Sequence, residues 1–291
     1  MKILVIGKNG QLGKSIKKVL ANSVQHNKYI FVGREGLDLS KKSSINDYFK
    51  NNSFDLIINC AAYTKVDKAE AEFLSANQIN NLAVAQLSVI AKKQNSKLIH
   101  ISTDYVFDGN QEKKYTEDDE PNPINYCGET KLLAERIVLK DPKNVVLRTS
   151  LVYGYGERVR FMKYVIENLQ NQKKIFAYND IFNSATNIDE FVESVEKVIE
   201  NDASGIFHMV GSSCITRYDF AKKIAKIFGF DESLVNFISI KESGLIAKRP
   251  VSPCLDNSKC SKILGYNFSD IDKGILKILN NFKNISIKEN N

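Results

Sequence analysis

Tryptophan is absent from the 291 residues, and only five prolines and three histidines occur. Scarce Pro with an ordinary 15 Gly excludes collagen-like and low-complexity chains. The histidines lie far apart, at 26, 100 and 208. The five cysteines (60, 127, 214, 254, 260) form no CxxC pair and leave one over in any disulfide scheme. That pattern argues against a zinc site or other metal centre and against a disulfide scaffold. A long apolar run is also missing. Ile3-Leu4-Val5-Ile6 is far too short for a signal-peptide core or a membrane span, so a cytoplasmic chain with no membrane partner is expected. What is present is a soluble globular composition, 43% hydrophobic and 26% charged, long enough for one large or two modest domains. Forty-one basic against 34 acidic residues give a net charge of +7, with the two signs interspersed, as in Lys65-Val66-Asp67-Lys68-Ala69-Glu70. A nucleic-acid-binding stripe would concentrate the bases, so no nucleic-acid partner is expected. The mild surplus suits an anionic small ligand.

Short β-branched runs alternate with helix-period segments. Strands are expected at 2–6, 29–32, 56–60, 97–101 and 145–148, with helices at 11–21, 43–51, 71–94 and 129–139 between them. Strands apolar nearly throughout and separated by helices predict an α/β fold, a doubly wound parallel sheet covered on both faces. Beyond Arg148 the rhythm loosens. Helices are expected at 161–170, 188–201, 218–228 and 271–282, a strand at 205–210, and a fraying polar tail from Lys283. The expected division is a dinucleotide-binding domain over 1–150 and a smaller substrate lobe over 151–291, with segments near 175–208 returning to the first.

Gly7-Lys8-Asn9-Gly10-Gln11-Leu12-Gly13 falls between the first strand and the first helix. There Gly7 permits the tight turn, Gly10 lets backbone approach a pyrophosphate, and Gly13 lets the helix pack close on the strand. The helix N-terminus then offers free N–H groups to phosphate. Bound dinucleotide would also meet Gln11 and Leu12. The second strand runs into Arg34 and Glu35. An acid there binds ribose hydroxyls, whereas an Arg favours a 2′-phosphate. NADPH is slightly favoured and NADH stays open. Asp38 and Leu39 are placed beside the adenine.

These motifs resemble the dTDP-4-dehydrorhamnose reductases, extended short-chain dehydrogenases of Rossmann type that reduce the 4-keto group of a nucleotide sugar. The likeness runs nearly end to end. It rests on the glycine loop, Asn59 to Glu70, Ser102-Thr103-Asp104-Tyr105-Val106-Phe107, Gly128-Glu129-Thr130-Lys131-Leu132, Arg148-Thr149-Ser150, Arg249-Pro250 and Leu255 to Lys259. The resemblance implies that Cys60, Ala61, Ala62 and Tyr63 line the cofactor. It implies that Thr103 holds the substrate carbonyl and that Lys131 binds the nicotinamide ribose and biases the neighbouring acid. Val66, Asp104, Tyr105, Leu151 and Arg249 fall on the substrate side. The partner implied is a nucleotide-sugar substrate, in the synthesis of surface-polysaccharide precursors, and a homodimer is admitted.

One departure touches the chemistry. The family's proton donor is a Tyr immediately before the Gly of Tyr-Gly-x-x-Lys, and here Cys127 holds that place, with Tyr126 one residue early. At about 100° per helical residue, Cys127 lies ~40° from Lys131 in azimuth and Tyr126 ~140° away. Three readings stay open. Cys127 is itself the acid, its thiol pKa lowered by the lysine. Alternatively, an irregular helix start brings Tyr126 in. In the third, hydride transfer is lost and nucleotide binding remains. A non-catalytic nucleotide-binding subunit and a nucleotide-sugar epimerase are the corresponding alternatives to a reductase. Further departures fall on the sugar side: Leu151 stands where the family has Trp, Ile181, Asn183 and Ala185 replace Gln, Gly and Pro, and Val251-Ser252-Pro253 follows Arg249-Pro250. The acidic run Glu117 to Glu120 reads as a solvated face, and His100 and His208 as core or rim residues.

Overall fold

The computed structural model describes residues 1–20, 27–154 and 160–289, with side chains described except at 160 and beyond 281. His26 and the expected helix end at Ala21 lie outside the described residues. In chain order the elements are β1 (Lys2–Ile6), α1 (Gln11–Leu20), β2 (Lys28–Val32), α2 (Lys42–Lys50), β3 (Leu56–Asn59), α3 (Val66–Ala71), α4 (Phe73–Asn77), α5 (Ala83–Lys93), β4 (Lys97–Thr103), α6 (Tyr126–Val138) and β5 (Val145–Thr149). There follow β6 (Val152–Tyr153), α7 (Arg160–Gln170), β7 (Ile175–Tyr178), β8 (Phe182–Ser184), β9 (Thr186–Asn187), α8 (Ile188–Glu200), β10 (Gly205–His208), β11 (Cys214–Thr216), α9 (Arg217–Phe228), β12 (Val235–Ile238), α10 (Ser258–Leu264) and α11 (Ile271–Glu289).

Six strands form one parallel sheet in the order β10-β5-β4-β3-β1-β2. Because strand side chains alternate between faces, Ile3 and Val5 enter one core while Leu4 and Ile6 enter the other. The first is closed by Ile16 and Leu20 of α1 and Phe191, Val195 and Val198 of α8. The second is closed by Ile45 and Phe49 of α2, Leu87 of α5 and Ala134 and Val138 of α6. The chain leaves β1 for β2 on one side, then crosses to β3 on the other. A doubly wound sheet opens its ligand crevice at such a reversal, beyond the carboxyl ends of the strands.

Of the segment 175–208, α8 packs on α1 and β10 completes the sheet beside β5. By contrast β7 pairs with β12 and β8 with β11, outside the sheet, over a third core containing Met162, Ile175, Phe220 and Ile275.

Several local expectations are corrected. The helix expected over 71–94 breaks at Glu72 and contains one π-helical turn, Gln78–Leu82. The helix expected from Glu129 starts at Tyr126, because the Asn125 side chain accepts the Gly128 N–H at 2.8 Å and caps the turn. No Gly or Pro interrupts the end of the last helix, and α11 continues to Glu289 where a fraying tail was expected. Cys214 and Cys254, 40 positions apart, form a disulfide. The count of five had argued against a disulfide framework, and folding alone brings this pair together. Nor is the acidic run merely solvated, since Glu117 accepts the His208 N–H at 2.8 Å and Asp119 accepts from the Thr116 N–H and hydroxyl.

Candidate active site

The glycine loop forms a cradle against the crevice. Gly7 has φ +90°, its N–H donates to the Val32 carbonyl at 2.9 Å, and a Cβ there would lie 2.9 Å from the Ala61 nitrogen. A Cβ on Gly13 would overlap the Gly7 carbonyl oxygen. At Gly10 only that same oxygen comes within reach, at 3.2 Å, so its outer side is open at the start of α1. A helix N-terminus with close, side-chain-free backbone fits a pyrophosphate. Of the other cofactor-side residues, Gln11 donates to the Val152 carbonyl at 3.0 Å, and Leu12 packs on the core. Arg34 is exposed, with Nε 3.3 Å from the Asp38 carboxylate, and Asp38 also accepts from Ser40. Glu35 pairs with Lys8 at 2.5 Å, which with its hydrogen bonds holds the carboxyl below the usual range. Leu39 is buried in the core below the loop. Cys60 follows β3, its thiol pushed up to about 12 by burial, and Ala61 and exposed Ala62 lead to Tyr63.

Asn80, in the π-helical turn, was not foreseen. It is buried, accepts the Tyr63 N–H at 2.8 Å, and donates to the Tyr63 carbonyl and the Thr130 hydroxyl. An inserted residue in a helix turns a side chain aside, and here it braces the crevice loop against α6. Tyr63 itself donates its hydroxyl to Glu72 at 2.6 Å, which pushes its pKa up to about 12.

The start of α6 rests on the turn after β4. A Cβ on Gly128 would overlap the Tyr105 carbonyl oxygen, so only glycine permits this approach. Cys127 and Lys131 share the buried face of α6, as their spacing predicts. The thiol sits among Ala69, Ala76, Tyr63, Val66 and Tyr126. Burial raises its pKa and outweighs the nearby Lys131 and Arg249 charges, contrary to the lowering expected from the lysine. Tyr126 is the first residue of a regular capped helix, with its ring edge-on to Phe73 and its N–H on Glu70. The helix start is therefore not irregular. Lys131 Nζ contacts His100 Nε2 at 3.0 Å and donates to the Ile101 carbonyl, while His100 Nδ1 lies 3.2 Å from the Asn59 amide. Burial lowers the lysine to about 8 and the histidine well below its usual range. His100 is thus a core residue, as read, yet it is also the lysine's partner.

At the end of β4, Thr103 caps the next turn by accepting the Tyr105 N–H at 3.2 Å. Its hydroxyl hydrogen-bonds Asp104 Oδ1 at 2.9 Å. Asp104 is 4% exposed and takes two further bonds at Oδ2, from Ser150 Oγ at 2.5 Å and Asn183 Nδ2 at 3.2 Å. Asn183 thus has a partner that its place in the sequence did not reveal. Burial and Asp104 push Tyr105 up to about 12, and the charges of Arg249 and Arg217 oppose them. Arg217, at the head of α9, is a further residue that sequence reasoning missed. It is partly buried and interacts electrostatically with Tyr105, Tyr178 and Asp104. Its signal was an Arg at the head of an amphipathic helix, which is too common to single out. Arg249 is paired with Asp67 at 2.5 Å, and the Ile246 and Ala247 N–H groups donate to the same carboxylate, so this loop is stapled beside Val66. Leu151, where the family's Trp would stand, has φ +32°, a strained conformation for a branched side chain.

Among the described residues no cluster of metal-ligating side chains occurs, and no helix is long and apolar enough to cross a membrane. The family described as RmlD substrate binding domain matches residues 1–284. A dTDP-4-dehydrorhamnose reductase of Aggregatibacter actinomycetemcomitans is 35% identical, over 95% of this chain and 98% of the relative. The crystal structure of a dTDP-4-dehydrorhamnose reductase from Clostridium acetobutylicum superimposes with a TM-score of 0.90 at 31% identity, over 97% of this chain and all of that one. That from Bacillus anthracis, in complex with NADP, gives 0.88 at 29% identity, over 96% and 98%. A side-chain-free cradle, a buried lysine on α6 and a match along nearly the whole chain agree, and the chain belongs to the dTDP-4-dehydrorhamnose reductase family.

Proposed function

We propose that this chain reduces the 4-keto group of a nucleotide-linked 6-deoxysugar with NADPH, in the synthesis of a surface-polysaccharide precursor. The observation that carries the reading is the crevice itself. Its cradle, shaped by the close backbone approaches at Gly7 and Gly13 and open at Gly10, lies at the carboxyl ends of the parallel strands, where β4 ends in Thr103 and Lys131 reaches the Ile101 carbonyl. When bound, NADPH supplies the hydride.

The chain's own residues then divide the work. The Gly7 to Gly13 backbone holds the pyrophosphate, with Gln11 and Leu12 beside it. Arg34, already turned toward Asp38, takes the 2′-phosphate, and Cys60 to Tyr63 walls the nicotinamide side. Lys131, held by His100, presents donors to the ribose hydroxyls. At the end of β4, Thr103 holds the ketone oxygen. Val66, Tyr105 and Leu151 line the sugar. Arg217 and Arg249 supply positive charge for the diphosphate, which the protein's overall surplus of base also attracts. In this division residues 1–150 carry the cofactor together with Val66, Thr103 and Tyr105 on the substrate side, and 151–291 supply the rest of the substrate lobe, with α8 and β10 built into the first lobe.

The test is loss of NADPH absorbance on adding a dTDP-4-dehydro-6-deoxysugar, with product analysis for the 4-hydroxy sugar. NADPH binding without turnover of any 4-keto sugar nucleotide would instead support the binding-subunit reading. Solvent deuterium entering the sugar without cofactor consumption would support an epimerase.

A further inference from the structure

With Cys127 where the family places tyrosine, the proton for the new hydroxyl needs a source. A hydroxyl has one hydrogen and two lone pairs. Thr103 Oγ1 already accepts the Tyr105 N–H at 3.2 Å and lies 2.9 Å from Asp104 Oδ1. If Asp104 is ionised, the threonine hydrogen must point at it and cannot face a ketone. If Asp104 carries a proton on Oδ1, both lone pairs of Thr103 are filled and its hydrogen is free to point into the crevice. The pocket accommodates the acid form, because Oδ2 remains an acceptor for Ser150 and Asn183.

We infer that Asp104 is a positioning residue that delivers the reaction's proton through Thr103, a role resting on the reductase reading above. Hydride addition at the carbonyl carbon oxidises the nicotinamide and moves the C=O electron pair onto oxygen. The Thr103 O–H bond breaks and its proton joins that oxygen. The Asp104 O–H bond breaks in turn, refilling Thr103 Oγ1 and leaving a carboxylate, which solvent water reprotonates through Thr103 once product has left.

Burial supports this by raising the Asp104 pKa despite three side-chain hydrogen bonds that favour the ion. The ionisable groups facing it are Tyr105 on the same turn, Cys127 on α6 and Arg217 on α9, with Arg249 acting on Tyr105 and Cys127. Arg217 favours the carboxylate, and the hydrogen bonds from Ser150, Thr103 and Asn183 oppose the rise that burial causes.

The test has two arms. Carboxyl carbon NMR on aspartate-labelled protein without ligands, assigned with Asp104→Asn, should show Asp104 titrating above the ordinary aspartate range. A carboxyl ionised throughout that range overturns the proposal, whether or not any sugar is turned over. In turnover, kcat/KM should fall as pH rises through that pKa. Asp104→Asn should lose this limb and about 10²–10⁴-fold in kcat with KM little changed, while still binding NADPH. Thr103→Val should behave likewise and Thr103→Ser should retain the limb, an arm that does not depend on the folding of Asp104→Asn. Asp104→Asn with unchanged kcat and profile overturns the proposal, as does loss of kcat and limb in Cys127→Ala alone. Absence of turnover in the parent despite NADPH binding removes the reductase reading, and the NMR arm still decides the state of Asp104.

Discussion

The Nζ of Lys131 lies 3.0 Å from the Nε2 of His100, with both side chains buried beneath the crevice. Neither partner can offset the other's charge, so burial drives both toward their neutral forms. Lys131 falls from 10.5 to about 8. Below about pH 8 the lysine is protonated in the folded and unfolded chains, and folding bears the full penalty of a buried cation. Between about 8 and 10.5 the unfolded chain still binds a proton that the folded one has released, so stability rises with pH. The urea midpoint of the ligand-free protein should therefore increase across that window relative to Lys131→Met. Parallel curves for the two proteins would refute this.

A second buried pair should behave differently. Arg148 and Glu135, 2% and 1% exposed, make three hydrogen bonds of 2.7–3.2 Å, and Arg148 also lies over the Phe107 ring. Glu135→Ala should cost about 3–5 kcal/mol, because a buried guanidinium is left without its anion. The double replacement Glu135→Leu with Arg148→Met should recover much of that loss in chemical denaturation. If the double variant is as unstable as the single, the pair itself contributes more than burial arguments allow.

Cofactor choice is testable at the loop after β2. Arg34→Ala should weaken NADPH by about tenfold or more, the worth of a charge-assisted contact, and NADH little. Gly10→Asp should abolish both, since a carboxylate would enter the open side of the cradle. Fluorescence titration measures each. Equal losses for the two cofactors in Arg34→Ala would move the preference to NADH.

The Cys214–Cys254 bond joins β11 to the loop that follows Arg249, across 40 positions. Cys254→Ser should lower unfolding free energy by about 2–4 kcal/mol under non-reducing conditions, through the entropy of the unfolded loop. Under strong reductant the difference should shrink toward the cost of the buried polar replacement. A variant as stable as the parent in oxidising buffer would show that the bond contributes nothing.

Local chemistry by itself determined much of this protein. The alternation of apolar strands with 3.6-period helices, the Gly7-Gly10-Gly13 loop and the shared face of Cys127 and Lys131 are properties of neighbouring residues, and backbone geometry makes them readable. Tertiary structure decided the partners. His100 meets Lys131 across 31 positions, Asp104 meets Ser150 and Asn183 across 46 and 79, and Arg249 meets Asp67 across 182. No periodicity links residues so far apart. The π-helical turn that aims Asn80 at Tyr63 was equally hidden. A proton's position on Asp104 or Lys131 depends on how much water surrounds the group and which groups face it, and only the folded chain sets those.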